Sequence, residues 1–294
     1  MRVWLLVIAL VVALLVALSI MRSEPEREVE GQRIVSLSPA MTEILFELEL
    51  GEQIVGVSAY SDYPPQASRL PEVGSYHDPT VERILKLKPD LVLGQRIGPD
   101  KTRLLQEQLD SHCELLILKV DSLAEIMHAA REIAEAAGCP EKGRELAHQW
   151  DQSIERLRQR YGQIPEGERI AVYVEIGANP LRTAGDGSYM SELLGLIGAR
   201  NVGDAVKINL WPVVSSEAVI KWNPQVILLL GMQRSSNVRQ EISSRLGWDR
   251  IEAVKNGRII ELPDAYKRQG PRLFAHAERL AEMIHHPDTT GSSE

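Results

Sequence analysis

The chain has 294 residues, of which 44% are apolar and 25% are charged, and its formal net charge is −8. This length is enough for two lobes of ordinary domain size, each with its own core. The acidic balance and the lack of any block of Lys and Arg argue against nucleic acid as the partner.

The N-terminus is an export signal or a membrane anchor, assigned to residues 1–22. Val3–Met21 carries no charge, and charged residues follow from Arg22 onwards. This run exceeds the ~7–15 apolar residues of a signal peptide and approaches the ~20 that span a bilayer. Ala17–Ser19 offers a small-residue cleavage site. Two outcomes therefore stay open: a soluble periplasmic or extracytoplasmic protein after cleavage, and a protein tethered to the inner membrane by residues 3–21.

A polar tether, residues 23–32, leads into a first lobe assigned to residues 33–138. Its short apolar strands alternate with longer helices, which predicts a mostly parallel sheet covered on both faces. The predicted strands are Arg33–Leu37, Ile54–Ser58, Leu91–Gly94 and Glu114–Val120, and the predicted helices are Thr42–Leu50, Pro79–Leu87, Pro99–Asp110 and Ser122–Ala137.

The two cysteines, Cys113 and Cys139, fall within or next to this lobe. In an oxidising compartment an even count is consistent with a disulfide. Two small buried thiols are the alternative, and both interpretations stay open. A metal site is not expected, because neither cysteine belongs to a Cys-x-x-Cys motif or a Cys/His cluster.

One long helix is predicted between the lobes, within residues 139–164. Its apolar residues recur at steps of three and four among polar positions, so they form a single stripe on a helix of roughly 30 Å. The stripe consists of Leu146, Trp150, Ile154, Leu157 and Tyr161. A helix of this length is a stiffer connection than a flexible hinge.

A second series of strands and helices occupies residues 165–286, and a polar, disordered tail is assigned to residues 287–294. The predicted strands are Arg169–Glu175, Val226–Gly231 and Arg258–Leu262, and the predicted helices are Tyr189–Ile197, Ser215–Trp222, Val238–Leu246 and Arg272–His285. Glu82–Leu93 can be laid over Glu217–Leu228 with Glu, Lys, Pro and Leu coinciding. The predicted fold class is therefore α/β: two similar lobes with mostly parallel sheets, joined by one long rigid helix, with a ligand cleft between them.

Catalytic motifs are missing from the sequence. It contains no Gly-x-Ser-x-Gly elbow, no phosphate-binding loop and no His-Glu-x-x-His. The seven histidines are scattered, apart from one pair at the end of a predicted helix. These observations predict a binding protein rather than an enzyme, with no resident cofactor and no metal site.

Aromatic residues make up only 5% of the chain, yet several fall in loops. These residues are Tyr60, Tyr63, Tyr76 and Trp211. Their loops follow predicted strands, and open α/β sheets bind ligands at the carboxyl ends of strands. Tyr and Trp have flat apolar faces and a polar edge, which suit a large planar ligand. Packing against the core of each lobe is the alternative for each ring.

Three segments carry a resemblance to a known family: Val35–Glu43, Ser58–Ala67 and Val81–Asp90. The sequence resembles the periplasmic binding proteins of ABC importers for cobalamin, ferric siderophores and haem, and Ser58–Ala67 is the segment most specific to the cobalamin branch. The likeness runs through nearly all of residues 33–286. It implies a two-lobed fold with one linking helix, a monomer, and an ABC permease with its ATPase subunits as partners.

The resemblance also implies functional positions. Four residues would line the cleft, namely Tyr60, Tyr76, Trp211 and Asp264. Glu82 and Glu217, one in each lobe, would pair with arginines of the permease. Each of these glutamates lies in the first turn of a predicted helix, where the helix dipole favours a carboxylate. Two anionic points on opposite lobes would fix the orientation of docking.

At the cleft, the sequence departs from the cobalamin branch. Gln95 and Arg182 stand where aromatic residues are expected, and Ala265–Tyr266 replaces a bulkier aromatic pair. Arg96, Arg182 and Lys267–Arg268 offer cationic groups for an anion. The expected ligand-binding set is Tyr60, Tyr76, Gln95, Arg96, Arg182, Trp211, Asp264 and Tyr266.

The bound solute is therefore expected to be cobalamin or a related corrinoid. A ferric siderophore, haem or another metal chelate stays open as the alternative within the same importer class. Two other classes of protein stay open as well. One is an exported chelate-processing enzyme, for which the sequence shows no ligating cluster, and the other is a membrane-tethered sensor that reuses the binding fold.

Overall fold

The structure is a computed structural model, and it describes residues 31–286 except 76, 97, 110–111, 209 and 232–236. The segment predicted as a signal or anchor, nearly all of the tether and the C-terminal tail lie outside the described residues. Within the described part of the chain, every helix is too short or too polar to traverse a bilayer.

The first lobe is an α/β unit built on a parallel sheet. In chain order its elements are β1 (Ile34–Ser36), α1 (Pro39–Glu47), β2 (Ile54–Val57), β3 (Gly74–Ser75), β4 (Asp78–Pro79), α2 (Val81–Lys86), β5 (Leu91–Gln95), α3 (Pro99–Leu109), β6 (Glu114–Leu118) and α4 (Leu123–Ala136). The sheet has the order β2-β1-β5-β6. Its inner strands are buried along most of their length, which explains their continuous apolar sequence.

The short strands β3 and β4 form an antiparallel hairpin that the sequence pattern did not predict. Gly74 has a φ of +109°, and a Cβ there would lie 2.7 Å from the carbonyl oxygen of Asp78. Only glycine fits this turn, because other residues are strained at positive φ and the backbone opposite cannot move away cheaply. The hairpin leads directly into α2.

A single helix, α5 (Pro140–Tyr161), connects the lobes. The predicted apolar stripe is buried on one side of it, where α5 packs against α4 and the last helix of the chain. The ring of Trp150 stacks on that of Phe274 with 4.6 Å between centroids. A Cβ at Gly143 would lie 2.4 Å from the Cβ of Ala134, so glycine allows the close approach of α4. The connection is packed along its length and is therefore stiff.

The second lobe has the same strand order as the first. Its elements are β7 (Ile170–Ala178), β8 (Leu181–Thr183), α6 (Tyr189–Leu196), β9 (Ala199–Asn201), α7 (Ser216–Trp222), β10 (Val226–Leu229), α8 (Val238–Ser243), α9 (Glu252–Lys255), β11 (Ile259–Glu261) and α10 (Arg272–His285). Parallel strands run in the order β9-β7-β10-β11, which corresponds to β2-β1-β5-β6. The additional strand β8 pairs antiparallel with the carboxyl-terminal half of β7.

The predicted fold class, two α/β lobes with mostly parallel sheets joined by one long helix, is confirmed. Differences occur in the loops. The segment around Asn179-Pro180, predicted as a loop, forms the turn between β7 and β8. The helix predicted to reach Leu246 ends at Ser243.

Both cysteines are free thiols. Cys113 precedes β6 and Cys139 immediately precedes α5, and burial raises the pKa of each thiol. The disulfide is therefore not formed, and the alternative of two partly buried thiols describes the structure.

Candidate functional site

A cavity of about 580 Å³ lies between the lobes. On the first lobe it is bounded by the carboxyl ends of β1, β5 and β6, together with the loops after β2 and β3. This is where open α/β sheets bind their ligands. The second lobe contributes two short loop segments. The lining residues are Ser38, Pro39, Ala40, Tyr60, His77, Gln95, Arg96, Leu118, Lys119, Val120, Asp121, Trp211, Lys267, Arg268 and Gln269.

Among the residues that the structure describes, each lobe presents one Tyr or Trp to this cavity. Tyr60, on the first lobe, is 63% exposed, which is unusual for a ring of this size. Trp211, on the second lobe, is half-buried, and its ring lies 5.5 Å from that of Tyr189. The cavity therefore has an exposed ring on one side and a packed ring on the other.

The loop that carries Trp211 is held by β8. Nη1 of Arg182 donates to the carbonyl oxygen of Trp211 at 3.2 Å, and the amide of Thr183 donates to that of Pro212 at 3.1 Å. The amide of Val214 donates to the carbonyl oxygen of Leu181 at 2.9 Å. These hydrogen bonds fix the backbone of the loop at the tryptophan and in the residues that follow it. Arg182 acts on the cavity through this loop, since its own side chain is not part of the lining.

Two glutamines link the lobes at the wall of the cavity. Gln95, at the end of β5, accepts a hydrogen bond of 2.6 Å from the hydroxyl of Ser38. Its Nε2 donates to Oε1 of Gln269 in the second lobe at 3.3 Å. Because these amides both donate and accept, they can also exchange such bonds with a bound solute.

The charges of the lining are mostly positive. Among the described residues, Arg96, Lys119, Lys267 and Arg268 line the cavity together with one carboxylate, that of Asp121. Burial raises the pKa of Asp121, and the nearby Glu125 acts in the same direction, whereas Arg96 and Lys119 oppose it. The cavity therefore suits a solute that carries anionic groups.

A buried ion pair joins the lobes beside the cavity. Glu43, in α1, is 2% exposed and accepts bonds from Nε and Nη2 of Arg272 at 3.0 and 2.5 Å. Arg268 lies 3.9 Å from the same carboxylate and 2.7 Å from that of Asp62. The guanidinium carbon of Arg272 sits 4.1 Å above the ring of Tyr63. Burial raises the pKa of Glu43, and the two arginines oppose that effect.

A second glutamate crosses between the lobes at the corresponding place in the other half. Glu192, in α6, accepts a hydrogen bond of 2.7 Å from the amide of Leu123, at the start of α4. The amide of Tyr189 donates to the carbonyl oxygen of Asp121 at 2.7 Å. Burial raises the pKa of Glu192. Glu192 is thus bonded to a backbone amide, whereas Glu43 is bonded to arginine side chains.

Glu82 and Glu217 are exposed in the first turns of α2 and α7. The hydroxyl of Ser215 caps α7 by accepting from the amide of Ala218 at 3.2 Å. Hydrogen bonds from its own backbone amide and from Ser215 lower the pKa of Glu217. Both glutamates are presented to the outside, one on each lobe and away from the cavity lining.

The structure brings four of the predicted ligand-binding residues together at the cavity: Tyr60, Gln95, Arg96 and Trp211. Tyr76 lies outside the described residues. Asp264 is exposed but does not belong to the lining.

The prediction that Tyr266 lines the cleft is wrong. Its side chain is 1% exposed, its hydroxyl donates to the carbonyl oxygen of His276 at 2.8 Å, and its own carbonyl accepts from the hydroxyl of Tyr189 at 2.9 Å. The ring supports the loop that carries Lys267–Gln269 instead. Lys119 and Asp121 were missed, although they follow β6 directly and open α/β sheets bind ligands at the carboxyl ends of strands.

No group of three or more His, Cys, Asp or Glu side chains is placed to hold a metal ion within the described residues. Two lobes of one topology, a stiff connecting helix and a cavity between the lobes define a protein that captures a solute. The chain belongs to the periplasmic binding protein family, which it matches over residues 34–266.

Similar proteins agree with this class. The chain is 32% identical to the vitamin B12-binding protein of Pectobacterium carotovorum subsp. carotovorum (strain PC1), covering 86% of this chain and 88% of that protein. It is also 32% identical to an ABC transporter substrate-binding lipoprotein of Bacillus subtilis (strain 168), covering 88% and 82%. The periplasmic heme-binding protein of Roseiflexus sp. RS-1 superposes with a TM-score of 0.77 at 29% identity, covering 87% and 98%.

The chain is thus the solute-binding component of an ABC importer, and its family is one of binding proteins rather than enzymes. Proteins of this kind work outside the cytoplasm with a permease and an ATPase.

Proposed function

We propose that the chain captures cobalamin or a related corrinoid in the cavity between its lobes and delivers it to the permease of its importer. The observation that carries the proposal is the placement of Tyr60 and Trp211 on opposite lobes of one cavity. A corrin ring is large and flat, and its faces can pack against such side chains. The similarity to a vitamin B12-binding protein supports the same solute.

The polar lining suits the rest of a corrinoid. Amide side chains surround the corrin ring of cobalamin, and Gln95 and Gln269 can exchange hydrogen bonds with them. Cobalamin also carries one phosphodiester, for which Lys267 of the second-lobe segment is a suitable partner. No bond in the solute has to change, so the role of the cavity is capture and release.

Isothermal titration calorimetry with cyanocobalamin tests the proposal. The wild-type protein should bind at a concentration of tens of micromolar or below, and Trp211→Ala should bind at least about tenfold more weakly. Val213→Ala is the matched control, because Val213 is 52% exposed in the same loop and is not part of the lining. Absence of heat with the wild-type protein would rule out a corrinoid.

A second candidate is haem or a ferric siderophore, and the four cations of the lining favour it. Haem carries two carboxylates and many siderophore complexes are anionic, so these solutes would use the cationic groups more fully than a corrinoid does. Titration with haemin and with a ferric hydroxamate under the same conditions separates the candidates. Tighter binding of either one than of cyanocobalamin would reassign the solute.

Delivery is assigned to Glu82 and Glu217. Both are exposed, lie on opposite lobes and carry their charge in the first turn of a helix. Exposed charges of this kind set orientation and association rate. Combined Glu82→Ala and Glu217→Ala substitution should abolish uptake in cells while the affinity for cyanocobalamin stays unchanged. A loss of affinity for cyanocobalamin would show instead that these glutamates contribute to the cavity or to the stability of the fold.

A further inference from the structure

Two exposed leucines, one on each lobe, lie apart from the cavity. The large apolar side chains that are exposed among the described residues are Tyr60, Tyr63, Leu104, Ile208, Val213 and Leu246. Four of these belong to the two aromatic loops at the cavity. Leu104 and Leu246 do not, and they are 55% and 95% exposed. Single exposed apolar side chains are common on protein surfaces, so the positions of these two leucines, rather than their exposure alone, carry the argument.

The turn around Leu246 is rigid. Arg245 before it forms two hydrogen bonds of 2.6 and 2.7 Å with the fully buried carboxylate of Glu175. Trp248 after it donates from Nε1 to the hydroxyl of Ser216 at 2.6 Å. The guanidinium carbon of Arg245 lies 4.5 Å from the ring centre of Trp248, which closes the turn. Leu246 therefore cannot fold back onto the lobe and remains in solvent.

This turn lies against the helix that presents Glu217. Ser216, the partner of Trp248, is the first residue of α7 and immediately precedes Glu217. A Cβ at Gly247 would lie 3.1 Å from Cδ1 of Ile220, in the same helix. The exposed leucine and the exposed glutamate are thus carried by two directly packed segments.

Leu104 lies in the corresponding connection of the first lobe, within the helix α3, whereas Leu246 follows the helix α8. Its helix, α3, packs against α2, which presents Glu82. Lys101 lies one turn before Leu104 on the same face of α3 and donates from Nζ to the carbonyl oxygen of His77 at 3.0 Å. His77 directly precedes the short strand that leads into α2. In both lobes the leucine lies between the third and fourth parallel strands in chain order, and its segment packs against the helix of the glutamate.

We infer that Leu104 and Leu246 are the apolar anchors of the surface that docks on the permease, one beside each docking glutamate. The inference rests on the proposed function. The partner would offer an apolar recess next to a cationic side chain at each of two sites on its extracytoplasmic face. Exposed ion pairs contribute little affinity, so a complex that forms through Glu82 and Glu217 needs buried apolar side chains as well.

The test measures binding of the protein to the host's corrinoid permease–ATPase complex in lipid nanodiscs by surface plasmon resonance. Leu104→Ser and Leu246→Ser should each weaken binding about tenfold, and the double variant about a hundredfold. Gln149→Ser is the control, since Gln149 is exposed at the middle of α5. Thermal melting of each variant checks that it is folded.

Two further measurements distinguish a failure of this inference from a failure of the proposed function. Titration with cyanocobalamin on the same samples should give one affinity for all variants, because neither leucine lines the cavity. If the wild-type protein docks but binds no cyanocobalamin, the solute assignment fails and the leucine result still decides the inference. If Glu82→Ala and Glu217→Ala weaken docking while both leucine variants stay within twofold of Gln149→Ser, the inference is overturned.

Discussion

The two lobes share a strand order but contribute very differently to the cavity. In the first lobe the carboxyl ends of β1, β5 and β6 reach the cavity directly. In the second lobe β7 continues into the antiparallel strand β8 before α6 begins, and the described residues of the lobe that reach the cavity are Trp211 and Lys267–Gln269. The comparison teaches that a shared topology does not determine which half binds. The segments that follow the carboxyl ends of the strands do, and these segments differ between the lobes.

The contacts between the lobes differ in the same way. Glu43 and Glu192 lie in corresponding helices, α1 and α6, and each reaches the opposite half of the molecule. The first is paired with arginine side chains and the second with a backbone amide. A buried carboxylate that faces arginine depends on that partner far more than one bonded to an amide does, because an unpaired charge is costly to bury.

The largest expected effect follows from breaking the arginine contact. Arg272→Met should lower the free energy of unfolding by about 3 kcal/mol, because it leaves the carboxylate of Glu43 buried with only the more distant Arg268 nearby. Urea denaturation measures the change. Arg144→Met is the control, since the Arg144–Glu141 pair is exposed on α5. Equal losses of unfolding free energy for the two substitutions would refute the claim that the buried Glu43–Arg272 pair stabilises the fold.

A smaller effect is expected at the corresponding contact. Glu192→Gln keeps the shape of the side chain and an acceptor for the amide of Leu123, but it replaces a charged acceptor with a neutral one. Unfolding free energy should fall by about 1 kcal/mol, measured by urea denaturation as above. A loss of unfolding free energy as large as that of Arg272→Met would mean that the charge of Glu192 matters as much to the contact between the lobes as the partner of Glu43 does.

The smallest effect concerns pH. Burial lowers the pKa of His276 below its usual 6.5, and Arg272 and Arg279 act in the same direction. The unfolded chain therefore binds this proton more readily, and stability falls as the pH drops below about 6.5. His276→Asn should reduce the decrease in melting temperature between pH 7.5 and 5.5 by on the order of 1 °C. Identical decreases in the two proteins would show that other groups are responsible.

Periodicity was sufficient to predict the general architecture. The stripe from Leu146 to Tyr161 predicted the connecting helix, and the alternation of strands and helices predicted both sheets. The position of a loop after a strand led to Tyr60 in the same way, whereas Gln95 and Arg96 were predicted from the resemblance to the family. These predictions rest on patterns of a few neighbouring residues, which local sequence contains.

Contacts between distant segments were not predictable in this way. Glu43 and Arg272 are 229 positions apart, and nothing in either segment indicates the other. Arg182 was expected to bind the solute, but it lies in β8. The sequence around Pro180 resembles a loop, so it does not indicate that β8 pairs with β7. Tyr266 is buried within the second lobe, and an isolated aromatic residue in a loop gives no local sign of such burial.

The most direct test of the central claim is a crystal structure of the protein with cyanocobalamin, using the anomalous scattering of cobalt to locate the solute. One cobalt peak is expected within the cavity, with the corrin ring between Tyr60 and Trp211 and its amides near Gln95. A peak on the outer surface of either lobe, or an empty cavity in crystals that contain the solute, would contradict it.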